Sequence, residues 1–82
     1  MDSIYTDAHH ELTRLLTEAR LRAGLTQAEL AGRLGKPQPF VSRLESNQRR
    51  VDVVEFLCLA QALGADPLAI LAAVRRHLPP GA

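Results

Sequence analysis

The stretch Leu25-Thr26-Gln27-Ala28-Glu29-Leu30-Ala31-Gly32-Arg33-Leu34-Gly35-Lys36-Pro37-Gln38-Pro39-Phe40-Val41-Ser42-Arg43-Leu44-Glu45-Ser46 decides the fold. Thr26 followed three residues later by Glu29 is a capping box, in which hydroxyl and carboxylate each satisfy the other residue's free amide. The helix it starts ends at Gly35, where the chain needs a left-handed turn. A third helix opens at Lys36-Pro37-Gln38-Pro39 and ends near Ser46. Its prolines are tolerable because first-turn amides have no partner inside a helix. Two short helices joined by a brief glycine-containing connection are a helix-turn-helix. Val41 and Leu44 form the inward edge of the third helix. Gln38, Pro39, Ser42, Arg43 and Ser46 fall on other faces, free to meet a ligand.

Outward from this unit the punctuation is equally clear. Leu12, Leu15, Leu16 and Ala19 recur at helical spacing, which predicts a first helix from about Asp7 to Ala23, closed by Gly24. Asn47 suits a left-handed exit from the third helix. Asp52 and Glu55 form a weaker capping box for a fourth helix, about Val53 to Leu63, closed by Gly64. Asp66-Pro67 begins a fifth, which fades near His77 before Pro79-Pro80-Gly81. There is no period-2 pattern and no internal repeat. The expectation is an all-α, compact five-helix domain over 1–82, with its core at about 7–78 and flexible termini.

Composition narrows the function classes. At 82 residues the chain has material for one core. With no Trp and one Tyr, that core is mostly Leu, Val and Ala. No apolar run is long enough to cross a bilayer, and Met1-Asp2-Ser3 lacks the start of a signal peptide. Cys58 stands alone, so neither an internal disulfide nor a cysteine metal cluster is implied. A cytoplasmic protein without cofactor or metal is expected. Cys58 reads as a small core residue. His9, His10 and His77 read as surface residues, and no triad of Ser, His and Asp is placed for catalysis. Net charge is only +1. Yet Arg20, Arg22, Arg33, Lys36, Arg43, Arg49 and Arg50 crowd the middle of the chain against Glu29 and Glu45 alone, a footprint that fits a polyanion.

The residues Leu25 to Ala31, Leu34-Gly35 and Val41 to Glu45, continued by Asp52 to Leu57 and Ala60 to Gly64, resemble the Cro and phage-repressor type of helix-turn-helix regulator, also called the xenobiotic-response-element (XRE) family. The resemblance covers roughly 12–72. It implies a non-enzymatic regulator, a repressor or autoregulator, that binds double-stranded DNA and puts the third helix in the major groove. It implies that Gln27 touches a phosphate and braces Gln38, that Gln38, Pro39 and Arg43 face base edges, and that Arg20 and Glu45 join helices one and three. Ser42 is within reach of a base or phosphate. Glutamine can pair bidentately with adenine, and arginine with guanine. Pro37 departs from the usual Ser or Thr cap, and Pro39 offers a base only apolar contact. Lys36, Ser46, Arg49 and Arg50 flank the reading helix where phosphates lie. Phe40 reads as a half-buried wedge.

The fourth and fifth helices carry more apolar residues than one stripe requires. Phe56, Leu59, Ile70 and Val74 are therefore expected at a homodimer interface, with an inverted-repeat operator as the matching DNA. An antitoxin that binds both its operator and a toxin protein is the alternative reading, and a DNA-free protein-interaction module is a third.

Overall fold

A computed structural model describes residues 6–81. Of the residues expected to form a flexible N-terminus, 1–5 lie outside that range. Five helices follow in order: α1 (Thr6–Arg22), α2 (Gln27–Leu34), α3 (Gln38–Glu45), α4 (Val53–Leu63) and α5 (Pro67–Arg75). The described residues contain no strand. Each boundary has a chemical cause. Thr26 accepts from the Glu29 amide at 3.0 Å and its own amide donates to Glu29 Oε1 at 2.8 Å. Asp52 and Glu55 repeat the arrangement at α4. Asp66 accepts from the Leu68 amide, and Pro67 fills the first helical position.

The exits of α2 and α3 share one geometry. Gly35 has φ 67° and Asn47 has φ 64°. At each exit two successive amides turn back onto the last helical turn: Gly35 and Lys36 onto the carbonyls of Gly32 and Ala31, Asn47 and Gln48 onto those of Leu44 and Arg43. This double bond at a left-handed residue satisfies carbonyls the helix end would leave bare. Asn47 is also held from α1, where Thr13, only 1% exposed, donates its hydroxyl to Asn47 Oδ1 at 2.8 Å.

The core joins Leu16 of α1, Leu30 and Ala31 of α2, Val41 and Leu44 of α3, Phe56, Leu59 and Leu63 of α4, and Ile70 of α5. Helix α2 packs on α3 and α4, while α1 packs on α3, α4 and α5. This packing corrects three expectations. Phe56 and Leu59 are 4% and 1% exposed, Ile70 is buried and Val74 half-buried, so the first three belong to the core and not to an interface. Helix α4 is apolar on nearly every face, and packing chose the stripe Phe56, Leu59, Ala60, Leu63 to face inward. Val53, Val54 and Leu57 of α4 and Leu68 and Leu71 of α5 are left exposed, as are Leu21 at the end of α1 and Leu78 beyond α5. Cys58, on that outer side of α4, is exposed and not a core residue. His9 is half-buried and not a surface residue, because the residues after α3 fold back against the start of α1.

One ion pair ties α1 to α3 across this core. Arg20 Nε donates to Glu45 Oε2 at 2.7 Å, and a second guanidinium nitrogen donates to Glu45 Oε1 at 3.1 Å. The third nitrogen donates to the Leu25 carbonyl at 2.7 Å, in the connection to α2. Both side chains are about nine-tenths buried, at 11% and 9% exposure. Bidentate geometry and shielding put this pair in a different class from the exposed pairs of Arg14 and Arg22 on α1.

Two measurements test this account. A Cβ added at Gly35 meets nothing within 4 Å, so Gly35→Ala costs only the left-handed backbone penalty, about 1–2 kcal/mol in urea unfolding, and Gly35→Asn costs less. A larger loss for Ala would mean the turn is crowded after all. Arg20→Ala strands a buried carboxylate and costs roughly 3–5 kcal/mol. In a double-mutant cycle, Glu45→Ala recovers part of that loss, and additive effects would show that the two are not coupled.

Candidate nucleic-acid interface

Helix α3 is short, eight residues or about 12 Å at 1.5 Å per residue. Its N-terminal turn is unusually plain. Pro37 is the N-cap and gives no side-chain bond, Gln38 is the first helical residue and Pro39 the second. Neither proline forfeits a helical hydrogen bond there, and neither blocks the approach of a ligand with a polar side chain. With Val41 and Leu44 1% exposed, the outer face is left to the residues between them. Pro39, Ser42, Arg43 and Ser46 follow one another at helical spacing, and Gln38 lies one turn before Ser42. Gln38, Pro39, Arg43 and Ser46 are exposed and Ser42 is half-buried. The hydroxyls of Ser42 and Ser46 donate back to the carbonyls of Pro39 and Arg43, both at 3.3 Å.

The start of α3 is braced by side chains. Gln27, the first residue of α2, donates from Nε2 to Glu45 Oε1 at 2.9 Å. Gln38 in turn donates from Nε2 to Gln27 Oε1 at 2.9 Å. The direction of this relay is forced. An ionised carboxylate only accepts, so Gln27 presents its NH2 to Glu45 and its oxygen to Gln38. Gln38 then keeps its own Oε1 and one N–H for whatever lies outside. Arg20, Glu45, Gln27 and Gln38 thus form one chain of hydrogen bonds from the interior to the tip of α3.

The basic residues around α3 differ in what they already hold. Lys36 and Arg50 are exposed. Arg49 is half-buried and paired: its terminal nitrogens donate to Glu55 at 2.8 and 2.6 Å, and one also reaches the Arg50 carbonyl at 2.8 Å. The Arg49 guanidinium holds the Glu55 carboxyl down to about 2, helped by the Asp52 amide. Arg49 also lies 4.5 Å from the centre of the Phe40 ring, with the Lys36 ammonium 5.6 Å from the same ring. Phe40 is half-buried against the core, with both cations over its ring. Arg49 is therefore a fixed charge and not the free surface arginine its sequence position implies. The signal was weak: Glu55 reads as a capping residue, and nothing in the spacing says that its carboxylate also takes an arginine. Among the described residues no group of His, Cys, Asp or Glu is placed to hold a metal ion. None of the described helices is long and apolar enough to cross a membrane.

Comparison with known proteins gives this geometry a family. The family described as "Helix-turn-helix domain" matches residues 11–73. An XRE-family like protein from Pseudomonas syringae pv. tomato is 46% identical, with a TM-score of 0.85 over 93% of each chain. The clp gene regulator ClgR from C. glutamicum shares the fold at a TM-score of 0.76 and 23% identity, over 89% of this chain and 95% of that one. The propionyl-CoA carboxylase regulator of Cereibacter sphaeroides is 43% identical over 51 residues, which are 62% of this chain but only 11% of that much longer protein. With the family matched across most of its length and its helix pair in place, the chain belongs to the XRE/Cro-like helix-turn-helix regulators, a DNA-binding family.

Proposed function

We propose that this protein is a transcription regulator that reads a specific duplex sequence by laying α3 in the major groove, and that it acts as a repressor or autoregulator by occupying its operator as a homodimer. The observation that carries the reading is the relay from Arg20 through Glu45 and Gln27 to Gln38. It holds an exposed glutamine in one orientation at the tip of an exposed helix. A side chain fixed in advance gives up little freedom on contact and presents one donor–acceptor pattern to a base edge. Gln38 and Arg43 read bases, Pro39 gives apolar contact, and Ser42 reaches a base or phosphate. Gln27, Lys36, Ser46, Arg49 and Arg50 hold the backbone. Arg49 does so as a charge anchored by Glu55.

Two-fold pairing uses the apolar surface the core leaves bare: Val53, Val54 and Leu57 of α4 with Leu68 and Leu71 of α5. An exposed apolar surface of this kind marks a contact site in a small protein. A dimer joined there sets two reading helices one turn of DNA apart, about 34 Å, and matches an inverted repeat.

Selection from a random duplex pool tests the reading by yielding an inverted repeat with half-sites about one turn apart. Binding to it weakens with salt, with log affinity falling by about 0.9 per phosphate neutralised for each unit of log salt. Gln38→Ala and Arg43→Ala lose on the order of 1–3 kcal/mol of discrimination against the wrong base and keep their fold. An equal loss on operator and random DNA would overturn the assignment of these two as base readers. In sedimentation, Leu57→Glu gives a helical monomer, whereas Leu59→Glu unfolds the chain. A Leu57→Glu variant that stays dimeric would move the interface elsewhere.

A further inference from the structure

Two residues of the exposed face of α3 have no polar group to offer. Pro37, its N-cap, and Pro39, its second residue, are both exposed and stand on either side of Gln38 in the chain. Neither has an amide N–H. Their carbonyls are already in use: that of Pro37 accepts from the Phe40 amide at 3.0 Å, and that of Pro39 from the Ser42 hydroxyl at 3.3 Å. Outward they present ring CH2 groups. The other apolar side chains of the helix are engaged elsewhere. Val41 and Leu44 are 1% exposed, and Phe40 is half-buried with Lys36 and Arg49 over its ring. A proline ring is stiff, so ordering it against a ligand costs almost no side-chain entropy. Gln38 donates to Gln27 and is held as well. The start of the exposed face is therefore a fixed amide flanked in the chain by two fixed apolar rings.

We propose that Pro37 and Pro39 form a methyl seat, which selects a pyrimidine carrying a C5-methyl group at the base pair Gln38 reads or at its neighbour. The proposal rests on the DNA-binding reading above and names the group that the apolar contact takes. It adds Pro37 to the residues that determine specificity. The reason lies in what the major groove displays. Adenine, guanine and cytosine present donors and acceptors there, and the one apolar group is the C5-methyl of thymine. A proline ring laid on a polar edge strips its water and returns no hydrogen bond, which is costly. The same ring laid on a methyl group removes apolar surface from water on both sides. The seat thus discriminates twice, by favouring the methyl and by penalising an edge that lacks it. 5-Methylcytosine carries the same methyl at the same ring position. Thymine supplies the group in unmodified DNA, and a methylated cytosine supplies it after modification. A cytosine at that position is bound more tightly once methylated.

The test measures binding of the full chain to the duplex recovered by selection, by fluorescence anisotropy at low salt. Each thymine in turn is replaced by uracil, which loses the methyl and keeps every hydrogen-bonding group, and each cytosine in turn by 5-methylcytosine. The expected result is a loss of about fourfold at one thymine in each half-site, the worth of one methyl group, or a gain of about fourfold at one methylated cytosine there. The first outcome identifies thymine as the source of the methyl, and the second modified cytosine. The responding position is the one at which Gln38→Ala loses discrimination, or the next. These replacements test the seat without any change to the protein. The variant Pro37→Ala/Pro39→Ala, folded by circular dichroism, binds the parent and the altered duplex alike. Affinities unmoved by every replacement would overturn the seat, and so would a folded variant that keeps the wild-type dependence on the methyl. A protein that binds no duplex, selected or mixed, refutes the DNA-binding reading and the seat with it, whereas binding that ignores the methyl refutes the seat alone.

Discussion

The carboxylate of Glu45 accepts from α1 and α2 at once, and the arrangement of the exposed face of α3 depends on it. Arg20 meets it with two nitrogens and uses the third to hold the Leu25 carbonyl. Gln27 meets it from the first turn of α2 and passes its orientation on to Gln38. A buried carboxylate is tolerable only when its lone pairs are occupied, and here guanidinium and amide together occupy them. Because the carboxylate cannot donate, it also fixes which way round both glutamine amides sit. A charge in the interior thus determines a hydrogen-bonding pattern at the surface.

The two left-handed exits complete that frame. Gly35 bends the chain between α2 and α3, and Asn47 bends it between α3 and the loop that carries the arginines. Glycine meets this conformation without penalty. Asparagine tolerates it and adds a side chain, which Thr13 of α1 holds. The end of α3 is therefore fastened to α1 by Thr13 at one point and by Arg20 at another. Thr13 and Arg20, which hold α3 from α1, are themselves buried.

Helices α4 and α5 show how packing divides a surplus. Both are rich in apolar residues at positions that a single small core cannot take up entirely. The core accepts Phe56, Leu59, Leu63 and Ile70 and leaves Val53, Val54, Leu57, Leu68 and Leu71 to solvent. The same partition places Cys58 outside. An isolated helix of this kind has no preferred inner face; α1 and α2, lying across it, supply one.

The sequence by itself determined the five helices and the helix-turn-helix. Those depend on local chemistry: capping boxes at Thr26 and Asp52, proline at first turns, glycine or asparagine at left-handed exits, and apolar spacing within each helix. It also determined the outward residues of α3, because Val41 and Leu44 define the inner edge of a helix only eight residues long. Family resemblance supplied the pairing of Arg20 with Glu45 and of Gln27 with Gln38. Only the tertiary structure decided which stripe of α4 is core, that Cys58 is exposed, that Arg49 is anchored to Glu55, and that His9 is half-buried. Each of these turns on which element lies opposite a residue that has more than one acceptable environment. Apolar spacing repeated around a whole helix, or a charge with several partners in reach along the chain, carries no local sign of that choice. It is made when the helices meet.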